Sequence, residues 1–121
     1  MTKRILVVED QEDNRQMLRD LLGSVGHEMI EAYDGETAVA QAAKHRPDLI
    51  LMDIQLPIMD GYEATRRIKA NAELRAIPII VVTSYALSGD EEKARAAGCD
   101  AYVTKPYSPR QLLAKINDFL K

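Results

Sequence analysis

The chain contains one cysteine, Cys99, among its 121 residues. A lone thiol forms neither an internal disulfide nor a multi-cysteine zinc site, and Cys99 reads as a small apolar filler. No apolar run approaches the ~20 residues that a membrane-spanning helix needs. The N-terminal stretch MTKRILVVED has neither the long apolar region nor the cleavage site of a signal peptide, so the expected location is the cytoplasm, with no membrane association. Basic residues are scattered and the net charge is -3. Their one local cluster, Arg66, Arg67 and Lys69, reads as a solvated helix face rather than the basic stripe of a nucleic-acid binder. Linkers, low-complexity segments and sequence repeats are missing, and at 13.5 kDa the chain reads as one domain, residues 1–121, without an output domain. Neither GxxxxGK[ST] nor GxGxxG follows the first apolar run, which removes the usual phosphate cradles for nucleotides.

What is present is a repeat of pattern. Apolar, strand-like runs occur at Ile5–Val8, Leu49–Met52 and Ile79–Val82, with weaker ones at Met29–Ala32 and Ala101–Thr104. Helical spacing lies between them: Met17, Leu18, Leu21, Leu22 and Val25 share one face, as do Leu112, Leu113, Ile116 and Leu120. Further helices are expected at about Gly35–Lys44, Gly61–Ala70 and Asp90–Ala97. Asp34, Asp60 and Ser88 or Gly89 are their N-cap candidates, Gly98 is a C-cap, and Ser108 followed by Pro109 starts the last helix. Strand and helix alternate as (βα)5, and runs without polar alternation indicate a parallel sheet covered on both faces. Five strands are too few for a closed eight-stranded barrel, which leaves an open doubly wound α/β sheet with its ligand site at the carboxyl ends of the strands.

Those ends carry Glu9 and Asp10, Asp53, Thr83 with Ser84, and Lys105 with Pro106. Three ionised carboxylates brought within a few ångströms repel by about a kcal/mol or more per pair, so either their pKa values rise or a cation sits among them. Oxygen ligands without nearby His or Cys favour a hard divalent cation, and a few carboxylates with retained waters suit Mg²⁺ better than a caged Ca²⁺. The stretch Asp10–Asn14 is not an EF-hand, because that loop's glycine and closing glutamate are missing. Glu12 and Asp13 read as charges favouring a helix N-terminus. A cation with Lys105 and the Thr83 hydroxyl supplies what phosphoryl transfer requires, positioning and charge neutralisation, and a carboxylate can then act as the nucleophile. His27 and His45 read as loop histidines away from the site. Ser84 lacks a GxSxG elbow and an activating histidine.

The set VVED (Val7–Asp10), LMDIQLPIMDG (Leu51–Gly61), VVTSYA (Val81–Ala86) and AYVTKPY (Ala101–Tyr107) resembles the receiver domain of bacterial two-component response regulators. The match runs along the whole chain and is nearest to stand-alone receivers of the DivK type, or to receivers of hybrid histidine kinases. The resemblance implies a flavodoxin-like strand order 2-1-3-4-5. It implies that Asp53 accepts a phosphoryl group from a histidine kinase or histidine phosphotransfer protein, and that Glu9, Asp10, Asp53 and the Gln55 backbone carbonyl bind Mg²⁺, or alternatively Mn²⁺. Thr83 and Lys105 would contact the phosphoryl oxygens, Thr83 and Tyr102 would form the switch, and the Lys105–Pro106 bond would be cis. Phosphorylation would then reshape the face of helix 4, strand 5 and helix 5 for a downstream target protein. Gln55 and Tyr85 are expected to tune the phosphoryl lifetime, and Tyr85, Leu87 and Tyr107 suggest a weak homodimer. Two rivals stand beside this switch: a phosphate shuttle or sink in a relay, and an aspartyl-nucleophile phosphohydrolase. The last is disfavoured because that nucleophile follows the first strand rather than the third. No independent enzymatic turnover is expected.

Overall fold

The computed structural model describes residues 2–83 and 90–120; Ser84, Tyr85, Leu87, Ser88 and Gly89 lie outside the described residues. The elements alternate as β1 (Arg4–Val8), α1 (Glu12–Ser24), β2 (Glu28–Ala32), α2 (Gly35–His45), β3 (Leu49–Asp53), α3 (Gly61–Ala70), β4 (Ile79–Thr83), α4 (Asp90–Ala97), β5 (Ala101–Thr104) and α5 (Pro109–Leu120). The strands form one parallel sheet in the order β2-β1-β3-β4-β5, the doubly wound, flavodoxin-like arrangement expected.

Strand side chains point alternately to the two faces, so each central strand feeds two cores. Leu6, Val8, Ile50, Met52, Ile79 and Val81 meet Ala38, Ala42, Ala64, Ile68 and Ala94 from α2, α3 and α4. Ile5, Val7, Leu49, Leu51, Ile80 and Val82 meet Leu18, Leu22, Leu112 and Ile116 from α1 and α5. Because β1, β3 and β4 are covered on both faces, they carry no polar alternation.

Local chemistry sets the helix ends. The Asp34 carboxylate caps α2 by accepting from the Thr37 backbone N–H at 2.6 Å, and Asp60 caps α3 by accepting from the Glu63 N–H at 2.9 Å. α4 ends in a Schellman turn, with Cys99 N–H bonded to Ala94 O and Gly98 N–H to Arg95 O; Gly98 adopts the left-handed φ of 110° that this turn requires. Asp34→Ala is therefore expected to destabilise the protein by about 1–2 kcal/mol, measured by urea denaturation.

At the end of the sheet away from the carboxyl termini of the strands, Lys69 ties several segments together. Its ammonium donates to Arg75 O, Ile77 O and Asp100 Oδ2 at 3.0, 2.8 and 2.9 Å. Asp100 Oδ2 also accepts from the Ile79 N–H at 2.8 Å.

Three local expectations change. Met17 and Val25, placed on the buried face of the first helix, are 46% and 48% exposed, because α1 ends before Val25 and its inward stripe narrows to Leu18 and Leu22. His45 is the last residue of α2 rather than a loop residue, and Arg4 reaches its backbone carbonyl at 3.0 Å and its Nδ1 at 2.9 Å. Asp53 and Thr83 are the final residues of β3 and β4 rather than the residues after them, since Asp53 still pairs in register with Val82 and Thr83 with Thr104.

Candidate functional site

The carboxyl ends of β1, β3, β4 and β5 bring Glu9 with Asp10, Asp53, Thr83 and Lys105 to one end of the sheet. Single ligand oxygens of Glu9, Asp10 and Asp53 lie within 4.8 Å of one another. Lys105 enters from beyond β5, its backbone N–H donating to Thr83 O at 2.7 Å, and the Lys105–Pro106 peptide is cis. The Lys105 ammonium donates to Glu9 Oε1 at 2.6 Å and stands 3.5 Å from Asp53 Oδ2. Glu9, Asp53 and Thr83 are buried, whereas Asp10 and Gln55 are exposed. Tyr102 is half-buried and packs on the core cluster under α2, α3 and α4. The lifetime-tuning assignment to Tyr85 falls outside the described residues.

The loop from Asp53 to α3 is built to hold the carboxylate still. The Ile54 N–H donates to Asp53 Oδ1 at 2.7 Å, and the Gln55 N–H also bonds this carboxylate. The loop closes on itself through Gly61 N–H to Ile54 O at 2.9 Å and Met59 N–H to Pro57 O at 2.7 Å. Gly61 lies so close to the chain that a Cβ there would overlap the Asp53 carbonyl oxygen and the Ile54 Cα. Within this loop Ile58, β-branched and 78% exposed, is held at a φ of 71°, a conformation costing on the order of 1–3 kcal/mol.

Electrostatics separate the carboxylates. Burial pushes the Asp53 carboxyl up to about 6; the Lys105 charge opposes the shift and the Glu9 charge adds to it. Burial also acts against ionised Glu9, but the bonds from Lys105 and the Gln11 N–H outweigh it and hold Glu9 below the usual carboxylate range. Burial likewise works against the Lys105 ammonium, yet its bond to Glu9 and the nearby Asp53 charge keep its pKa raised. Lys105 is thus committed mainly to Glu9, and Asp53 is the carboxylate left under-neutralised. Three carboxylates against one ammonium leave a surplus of two negative charges. An all-oxygen set with that surplus fits a hard divalent cation that retains waters.

Two contributors have no motif signal of their own. Asn14, in the first turn of α1, donates from Nδ2 to Glu9 Oε1 at 3.2 Å. Arg15 donates to the Glu9 backbone carbonyl at 2.7 Å while pairing with Glu12 and Glu31. Asn14 also lines an open cleft of about 360 Å³ with Met17, Lys105, Pro106 and Tyr107. The spacing of Asn14 and Arg15 from Glu9, one helical turn past a strand end, is the only hint that sequence offers.

An open parallel sheet with a buried carboxylate at the carboxyl end of its central strand, flanked by two acids and a lysine, is a doubly wound α/β protein whose site suits a hard divalent cation. The chain belongs to the response regulator receiver domain family, whose model matches residues 5–117. It is 47% identical over 120 residues to the polar-differentiation response regulator DivK of Brucella ovis and of Brucella melitensis, covering 99% of this chain and 98% of each relative. It also resembles the receiver domain of a sensor histidine kinase from Pseudomonas aeruginosa PAO1, solved with a magnesium ion coordinated in its active site cleft. That likeness has a TM-score of 0.92 at 38% identity, covering 99% of this chain and 98% of the other. Vibrio cholerae chemotaxis protein CheY4 matches with a TM-score of 0.92 at 29% identity, covering 99% and 100%. The chain is a receiver used in phosphorylation-based signalling, like DivK and CheY proteins. No helix among the described residues is long and apolar enough to cross a membrane.

Proposed function

We propose that Asp53 is the phosphoacceptor of a receiver that works in the cytoplasm as an interaction switch. The observation that carries this reading is Asp53 itself: buried at the end of β3, 3.5 Å from the Lys105 ammonium and grouped with Glu9 and Asp10. The donor is a phosphohistidine on a histidine kinase or a histidine phosphotransfer protein. An Asp53 carboxylate oxygen forms a bond to phosphorus as the bond from phosphorus to the histidine nitrogen breaks. Glu9, Asp10, Asp53 and the Gln55 carbonyl are the residues to hold Mg²⁺, with Mn²⁺ as a substitute. Bound there, the ion supplies positive charge against the phosphoryl oxygens and the carboxylates.

The chain's own groups do the rest. The Ile54 and Gln55 N–H groups orient the carboxylate, and its rigid mount matters because an ångström of misplacement can cost on the order of a hundredfold in rate. Lys105 lies close enough to shift from Glu9 toward the new phosphoryl oxygens, and Thr83 supplies a hydroxyl donor. The added charge of about -1.5 to -2 is the switching signal. Movement of Thr83 and a turn of Tyr102 then reshape the face of α4, β5 and α5, where Tyr102, Tyr107, Gln111 and Lys115 border an open depression of about 390 Å³. The downstream target reads that face, and a weak homodimer would use it too.

The test uses acetyl phosphate with Mg²⁺ and intact-mass measurement. The expected result is one labile phosphoryl group per chain, absent in Asp53→Asn and absent in EDTA. Full labelling of Asp53→Asn, or none of the wild type by any phosphodonor, overturns the reading. Repeated turnover of a phosphate ester would instead select the phosphohydrolase.

A further inference from the structure

We infer that Asn14 is a positioning residue that holds the Glu9 carboxylate in its metal-binding orientation, both beside Lys105 and after Lys105 leaves it. The inference rests on the phosphoacceptor reading and extends it to a residue outside the acidic, hydroxyl and lysine set.

Glu9 is 3% exposed, and a buried carboxylate needs its oxygens paired. Oε2 accepts the Gln11 N–H at 3.1 Å. Oε1 accepts from two side chains, Lys105 Nζ at 2.6 Å and Asn14 Nδ2 at 3.2 Å. Of these two, the lysine also stands near a second carboxylate, Asp53 Oδ2 at 3.5 Å. A phosphoryl group on Asp53 adds strong acceptors on that side, so the shorter Glu9 bond is the one that phosphorylation weakens.

Asn14 is placed to remain. It sits in the first turn of α1, whose start is fixed by Arg15 N–H to Gln11 O at 3.1 Å and by the Arg15 guanidinium on the Glu9 carbonyl at 2.7 Å. An amide also suits the task chemically. It orients a carboxylate through a hydrogen bond without adding a positive charge that would compete with a bound cation. A lysine or arginine at position 14 would pair with Glu9 and oppose the metal, while an apolar side chain would leave Oε1 dependent on Lys105 alone.

The experiment measures Mg²⁺ binding by titration calorimetry, and separately the Mg²⁺ dependence of labelling by acetyl phosphate, for the wild type, Asn14→Leu and Asn14→Gln. Outer-shell partners of metal ligands typically contribute about 10- to 100-fold in affinity. Asn14→Leu is therefore expected to weaken Mg²⁺ binding by about tenfold or more and to raise the half-saturating Mg²⁺ by the same factor. Asn14→Gln should regain much of the lost affinity. Urea denaturation in EDTA monitors folding separately, since Asn14 is only half-buried. Wild-type Mg²⁺ affinity in a folded Asn14→Leu overturns the inference, as does a loss that Asn14→Gln fails to reduce. Failure of the wild type to bind Mg²⁺ or take label overturns the phosphoacceptor reading itself.

Discussion

Asp53→Asn is expected to be more stable than the wild type in the absence of metal at pH 7.5, by about 1–3 kcal/mol. The reason is the raised Asp53 pKa, from 3.8 to about 6, with burial as its main cause. Below pH 3.8 the carboxyl is neutral in both folded and unfolded chains and costs nothing. Between 3.8 and 6 the unfolded chain ionises first, so the native state loses stability as the pH rises, and above 6 the cost is constant. The full shift corresponds to about 3 kcal/mol at 1.36 kcal/mol per unit. Asparagine removes the buried charge while keeping an acceptor for the Ile54 N–H, but it forfeits the attraction of Lys105, which lowers the expected gain. Urea denaturation in EDTA at pH 7.5 and at pH 4 checks this, with the advantage of the variant shrinking toward zero at the lower pH. An equal gain at both pH values would show that desolvation of the ionised carboxylate is not its source.

Gly61→Ala should be among the most damaging single-methyl changes in the chain. The added carbon would overlap backbone atoms of Asp53 and Ile54, which cannot swing aside as a flexible side chain would. Either the start of α3 moves, breaking the Gly61 N–H bond to Ile54 O, or the end of β3 moves and carries the Asp53 carboxylate with it. The expected loss is about 3 kcal/mol or more in stability. Under conditions where the variant remains folded, labelling by acetyl phosphate should fall by about a hundredfold. Gly23→Ala is the control: a Cβ at Gly23 meets nothing within 4 Å, and within α1 the change should stabilise by up to about 1 kcal/mol. If both alanines behave alike, crowding beneath Asp53 is not what constrains residue 61.

The architecture was readable because three strands are apolar on both faces, which only a sheet covered from two sides explains, and because such sheets place chemistry at their carboxyl ends. Glu9, Asp10, Asp53, Thr83 and Lys105 could therefore be located before any coordinate was known. The cis peptide before Pro106 came from the family resemblance, since the residues around it carry no local signal for that geometry. Met17 and Val25 misled because periodicity identifies a face without saying how far a helix runs or how it tilts over the sheet. Asn14 stayed hidden for a related reason: whether a polar side chain in a helix's first turn faces solvent or a neighbouring carboxylate depends on how that helix leaves its strand. Ile58 at positive φ was not legible at all, since a β-branched residue is among the last that local preference would place there.

The Lys69 tie gives the molecule a mechanical asymmetry. With all three ammonium hydrogens fixed on Arg75, Ile77 and Asp100, the roots of β4 and β5 are anchored to the tail of α3 in the manner of a cantilever clamped at its base. The same tie fixes where those two strands begin, and hence where Thr83 and Lys105 come to stand at their far ends.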